Sequence, residues 1–200
     1  MAEILLVRHG ETEWSRTGRH TGRSDVPLTE EGRRRAAALA PMLAGRRVGL
    51  ALTSPLSRAR DTARLAGVES PEPDPDLLEW DYGAWEGRTT AQIRQQLAEP
   101  DWTVWSAPVP PGDTPGEQPE EVAVRAGRVL ARCAPVLLSG RDCVLVAHGH
   151  LLRILTATWL GLPARDARLF ALDAGSLSSL GHEHETPVIR WWDVTPAALP

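Results

Sequence analysis

Two apolar runs in this chain end in histidine beside glycine: Ile4–Val7 leads into Arg8-His9-Gly10, and Cys143–Ala147 leads into His148-Gly149-His150. A third run, Val48–Leu52, ends in Thr53-Ser54-Pro55 with Arg58 shortly after, and Glu79 follows the pair Leu77-Leu78. Two imidazoles flanked by guanidiniums make an anion site, because the planar arginine fork matches phosphate oxygens. A neutral imidazole nitrogen can attack phosphorus and hold the phosphoryl group covalently. Nearby arginine charge stabilises the equatorial oxygens in the transition state. A carboxylic acid beside the leaving oxygen can donate its proton, then take one from water in a second step. Such chemistry needs no metal and no cofactor, since side chains supply the cations.

These residues span about 140 positions, so only the fold can gather them. The apolar runs read as strands buried on both faces. Thr29-Glu30-Glu31 opens a helix with Thr29 as N-cap, and Ala37, Leu39, Ala40 and Leu43 form its apolar face. Ser54-Pro55 starts a helix running to about Leu65. Residues 69–76 alternate proline and acid and should be extended. A short helix is predicted over Thr90–Leu97, a long one over Glu120–Leu138 and another over Gly149–Leu160. Two strands with a turn near Glu185–Pro187 close the chain. Strand–helix alternation predicts a three-layer α/β/α fold around a mainly parallel sheet, with 1–200 as one domain. In such sheets ligands bind beyond the carboxyl ends of the strands, which is where the two histidines, the arginines and Glu79 fall. Residues 107–119 hold five prolines and two glycines, so the 88–120 segment is predicted to be a surface insert over the site, able to act as a lid.

Composition narrows the function. The 200 residues are 42% hydrophobic and 24% charged, with a formal charge of −4, which fits a globular protein and argues against a duplex nucleic-acid binder. Every one of the 22 basic residues is arginine, so Schiff-base and P-loop lysine chemistry are excluded. Cys133 and Cys143 are expected to be reduced, buried thiols. No apolar window suits a signal peptide or a membrane span, so a soluble cytoplasmic protein is expected.

The ordered blocks resemble the histidine phosphatase (phosphoglycerate-mutase-like) superfamily. They are Leu6–Thr12, Thr21–Thr29 with Glu31-Gly32, Thr53–Ala59 with Thr62, Glu79–Gly83 with Glu86-Gly87, and Val146–His150. The resemblance implies that His9 is the phosphorylated nucleophile. It implies that Arg8, Arg58 and His148 clamp the phosphoryl group, and that Glu79 is the proton donor. Ser15, Thr21, Gly22, Tyr82, Gly149 and His150 would contact the substrate, Gly149 through its N–H at a helix start. Asp81 and Glu86 compete with Glu79 for the acid role, and motif position favours Glu79. The acid role predicts activity that peaks at mildly acidic to neutral pH.

The Glu79–Gly83 block further resembles a branch that contains broad acid phosphatases and sugar-bisphosphate phosphatases. It implies a small phosphorylated metabolite as partner: a sugar phosphate, a bisphosphate or a phosphoglycerate-like acid. True mutases of this superfamily carry more cations in the insert, whereas residues 88–120 hold only Arg88 and Arg94. Hydrolysis is therefore favoured over a cofactor-dependent phosphoglycerate mutase or a silent phospho-ligand binder. A protein phosphohistidine as substrate, and a homodimer as assembly, stay open. His20 and His150 could line the pocket or face solvent. Trp14, Trp80 and Trp85 are placed as pocket walls, and Trp102 and Trp105 as anchors of the insert. His182 and His184 are read as solvent-facing rather than as metal ligands.

Overall fold

The computed structural model describes residues 2–196. The elements are β1 (Ile4–Arg8), α1 (Glu13–Arg16), α2 (Glu30–Ala38), α3 (Ala40–Leu43), β2 (Val48–Thr53), α4 (Ser57–Leu65), β3 (Glu72–Pro73), α5 (Thr90–Leu97), α6 (Pro119–Leu138), β4 (Asp142–Ala147), α7 (Gly149–Trp159), β5 (Leu177–Glu183) and β6 (Thr186–Val194). One six-stranded sheet has the order β3-β2-β4-β1-β5-β6. The first four strands in that order are parallel, and β5 and β6 add an antiparallel hairpin.

Strand residues alternate between two apolar layers, as a pleat buried on both faces requires. Ile4, Leu6, Leu52, Cys143, Leu145 and Ala147 pack with α5, α6 and α7. Leu5, Val7, Val144, Val146 and Leu177 pack with Leu39 and the alanines of α4. The result is the three-layer α/β/α architecture. Cys133 and Cys143 are free thiols buried in the first layer. Among the described residues no helix is long and apolar enough to cross a membrane.

Register gathers the site. Arg8 pairs with Ala147, and Thr53 pairs with Val146, so β1, β4 and β2 end level. The His9 N–H then donates to the Ala147 carbonyl at 2.9 Å, and the Ser54 N–H to the Val146 carbonyl at 2.9 Å. His9, Ser54 and His148 leave the sheet at one edge.

Three local expectations change. The helix that opens at Thr29 breaks at Leu39, because Pro41 supplies no amide hydrogen to continue it. Helix α4 begins at Ser57, since Ser54 is still held in the strand ladder. The 88–120 segment contributes no residue to the pocket lining and lies beside and behind the pocket. The Gln118 side-chain amide bonds both the N–H and the carbonyl of Val109, the Ala84 N–H donates to the Pro110 carbonyl, and Thr114 bonds the Asp81 carboxylate. Those bonds fasten the proline-rich loop to the core.

Candidate active site

A cavity of about 190 Å³ opens at this edge, lined by Arg8, His9, Ser15, Gly18, Arg19, His20, Thr21, Glu79, Tyr82, Gly149, His150, Arg153 and Leu172. His9 is nearly buried, at 5% exposure. Its Nδ1 lies 2.7 Å from the Gly10 carbonyl, which can only accept, so Nδ1 carries the proton and Nε2 keeps its lone pair. Burial, and then the charges of Arg58 and Arg8, hold its pKa well below the ordinary histidine value. His9 is therefore neutral at pH 6, in the tautomer a nucleophile needs.

Arg8 enters the cavity from β1. One of its terminal nitrogens donates to the Leu172 carbonyl, while its Nε is buried without a partner among the described residues. A buried charged donor left unpaired is costly unless an anion takes it. Gly149 packs flat against this guanidinium: a Cβ there would lie 3.2 Å from Arg8 Cζ and Nε. Gly149→Ala should displace the fork and lower kcat/KM by about tenfold or more, with the melting temperature little changed. Unchanged kinetics in that variant would show that Arg8 placement is not critical.

Arg58 and His148 are fully buried behind His9 and do not border the cavity. Arg58 Nε donates to His148 Nδ1 at 3.1 Å, so His148 holds its proton on Nε2 and donates to Ser54 Oγ at 2.7 Å. Other Arg58 N–H groups donate to the carbonyls of Ser24, Thr21 and Gly22. Arg58 is thus held through Nε and both terminal nitrogens. The His9 and His148 rings meet edge to face at 5.1 Å.

Of the three competing acids, Glu79 lines the cavity. Its Oε1 accepts from the N–H groups of Trp80 at 2.9 Å and Leu151 at 2.8 Å, and its Oε2 accepts from His150 N–H at 3.0 Å. Helix α7 and the 79–80 turn fix this carboxyl on the cavity wall. Oε2, with a single amide partner, keeps capacity for a proton. Asp81 is tied to the Gly83 N–H and Thr114, and Glu86 to the Gly22 and Ser24 N–H groups. Neither lines the cavity.

The other expected contacts divide. Ser15, Thr21, Tyr82, Gly149 and His150 border the cavity. Gly22 does not: its N–H is taken by Glu86, and a Cβ there would strike the Trp80 carbonyl at 2.4 Å. The role of Gly22 in this structure is close packing. Tyr82 Oη is hydrogen-bonded to His150 Nδ1, with burial raising the phenol pKa well above its usual value. His20 also lines the cavity, and burial lowers its pKa to about 4. Trp14, Trp80 and Trp85 do not wall the cavity. Trp80 is fully buried with its indole N–H on the Glu117 carbonyl at 2.7 Å, and Trp14 packs on Gly87. Trp102 and Trp105 are buried, and they back His20 and His150 at 6.1 and 5.0 Å. His182 meets Trp159 edge to face at a separate groove with His184.

Sequence reasoning missed Arg19 and Arg153, which border the cavity, and Ser54, which anchors His148. For Arg153 the signal was its place four residues beyond Gly149, on the same helix face. It also missed Arg125, which is 6% exposed, bonds the carbonyls of Asp76, Leu78 and Glu79, and pairs with Glu117 at 2.9 Å. That clamp holds the segment from which Glu79 projects.

A sheet edge that sets a neutral histidine beside arginines and one carboxyl is a site for phosphoryl transfer in an α/β enzyme. A model of the histidine phosphatase superfamily (branch 1) matches residues 4–195, and the chain belongs to that superfamily. It is 42% identical over 188 residues to an acid phosphatase of Mycobacterium tuberculosis, covering 90% of this chain and 87% of that protein. It is 34% identical over 203 residues to a probable phosphoglycerate mutase of Photorhabdus laumondii, covering 98% and 93%. A solved mycobacterial glucosyl-3-phosphoglycerate phosphatase superposes with a TM-score of 0.84 at 29% identity, over 97% of this chain and 100% of the other.

Proposed function

We propose that this chain hydrolyses phosphomonoesters of small metabolites through a phosphohistidine at His9. The observation that carries the reading is His9 itself. Its only uncommitted nitrogen bears a lone pair, it is neutral at working pH, and it shares one cavity with an unpartnered Arg8 Nε and with Glu79.

In the first step His9 Nε2 attacks phosphorus, and a P–N bond forms as the ester P–O bond breaks. The Arg8 fork takes the equatorial oxygens, with Arg58 and His148 adding fixed charge and dipole behind His9. A proton from Glu79 goes to the departing alkoxide, leaving the carboxylate held by three amides. In the second step water attacks the phosphorus and gives its proton to Glu79. The P–N bond then breaks, releasing inorganic phosphate and neutral His9. A cavity of about 190 Å³ favours sugar phosphates, sugar bisphosphates or phosphoglycerate-like acids over larger ligands. Similarity to an acid phosphatase supports hydrolysis. So does the insert, whose two cations, Arg88 and Arg94, do not line the cavity and so are not placed to hold a bisphosphate intermediate.

The test is phosphate release from sugar monophosphates, bisphosphates, phosphoglycerates and one aryl phosphate, in EDTA near pH 6. Release by the wild type and none by His9→Ala is the expected result. Isomerisation of phosphoglycerate without net phosphate would replace this reading with a mutase. Binding without turnover would replace it with a silent phospho-ligand binder. Glu79→Gln should cut turnover of alkyl phosphates by roughly 10²-fold or more, and far less for the aryl phosphate, whose leaving group needs no proton. Equal losses on both would remove Glu79 from the acid role.

A further inference from the structure

The cavity extends beyond His9 and Glu79, and its outer part carries charge that phosphoryl transfer does not use. Arg19 and Arg153 line it from separate elements. Glu79 is the one carboxylate among the lining residues, and it accepts from three backbone amides rather than pairing with Arg19 or Arg153. Among the described residues neither Arg19 nor Arg153 forms an ion pair, although acids outnumber bases 26 to 22 and Arg23, Arg128 and Arg132 all find carboxylates. Unpaired arginines at a concave site in an acidic protein point to an anionic ligand.

Arg153 is also held in place. Its Nε donates to the Ala167 carbonyl and one terminal nitrogen to the Arg168 carbonyl, both at 3.0 Å. Its guanidinium lies over the Trp105 ring, 4.9 Å from the centroid. The other terminal nitrogen makes no hydrogen bond among the described residues. Arg19 rests on Trp14 at 5.9 Å and likewise has no carboxylate partner. Arg153 follows Gly149 by four residues on α7, so the two share a face about 6 Å apart along the axis. Gly149 abuts Arg8 at the phosphoryl end. One cation therefore sits beside the transferring group and the next lies one helical turn further on.

We infer that Arg153, assisted by Arg19, forms a second anion subsite that binds a carboxylate or second phosphate carried by the substrate a short carbon chain from the phosphoryl group being transferred. The inference rests on the phosphatase reading and narrows its substrates to those with two anionic ends. A guanidinium fork fits either oxyanion.

Matched substrates test it. 3-Phosphoglycerate and glycerol 3-phosphate differ in a carboxylate for a hydroxymethyl group, and fructose 1,6-bisphosphate and fructose 6-phosphate differ in a phosphate. Wild-type kcat/KM should favour the doubly anionic member of one pair by roughly tenfold or more. A preference in the first pair names a carboxylate, and in the second a phosphate. Arg153→Gln should erase the preference through KM, bringing the two members of the favoured pair within about twofold of each other. Arg19→Gln should reduce it in part. Calorimetric binding of non-hydrolysable methylene-phosphonate analogues of the first pair and of the two fructose phosphates runs in parallel. If no substrate turns over, the phosphatase reading fails, and the phosphonates still decide the subsite. No preference in either pair, or a preference that survives Arg153→Gln, overturns the inference.

Discussion

His9→Ala is expected to lose phosphate release by roughly 10³-fold or more on every substrate, without loss of fold. The methyl group removes the ring nitrogen proposed to bond phosphorus. His148 cannot substitute. Its Nδ1 accepts from Arg58, its Nε2 donates to Ser54, and it is fully buried outside the cavity lining. The His9 ring makes one hydrogen bond to its own Gly10 carbonyl and an edge contact with His148, so its removal leaves a small polar gap rather than a broken core. Circular dichroism and a melting curve near those of the wild type should accompany the kinetic loss. A variant that keeps a tenth of wild-type turnover would show that phosphorus is attacked by water or by another group.

The second large effect is on stability, which falls more steeply than activity as the pH drops. Burial, reinforced by Arg58, Arg8 and Arg153, holds His9, His148 and His150 well below the ordinary histidine pKa, and burial lowers His20 to about 4. The unfolded chain takes up protons near pH 6.5, whereas the folded chain does so only at much lower pH. Between those limits the unfolded state binds more protons, so stability rises with pH and is lost as pH drops below about 6.5. His20 alone costs about 1 kcal/mol between pH 7 and 5.5, and His9, His148 and His150 add to that loss in the same direction. For a chain of this size that lowers Tm by at least about 3 °C. Asp76, held low by Arg128, adds to the loss at still lower pH. Meanwhile the lowered pKa of His9 keeps it neutral below the ordinary histidine range, so turnover per folded molecule should fall less steeply than stability. Thermal melts from pH 7 to 5 check this, with His20→Gln recovering part of the slope. A flat Tm across that range would mean that these histidines protonate freely in the folded state.

Much of the site could be read in advance because strand ends announce themselves. The apolar runs 4–7 and 143–147 stop at Arg8-His9-Gly10 and His148-Gly149-His150, and parallel pairing leaves only one edge where both can emerge. Glu79 was separable from Asp81 and Glu86 by motif position, and the amides of His150 and Leu151 give that choice a physical basis. The cavity's outer half was less legible. Trp80 and Trp85 stand next to the motif residues in sequence, but the short turns around them point the indoles into the core. Gly22 reads as a contact residue from its motif, while Glu86, 64 positions away, takes its amide. Arg153 looks like one more surface arginine until Trp105 and the carbonyls of residues 167 and 168 close around it. The insert was misplaced because its prolines and glycines signal a surface loop without saying what it packs on. The Gln118–Val109 and Thr114–Asp81 bonds that fasten it are long-range or side-chain choices that leave no periodic trace.

The claim at the centre is that the phosphoryl group passes through His9. Rapid mixing of the wild-type enzyme with a ³²P-labelled substrate, quenched in alkali to preserve phosphoramidates, followed by peptide mapping, tests it directly. Label is expected on the peptide containing His9 within the first turnovers, alkali-stable and acid-labile, and absent from His9→Ala. Steady phosphate release with no label on that peptide at the shortest quench times, or with label on another residue, would contradict it.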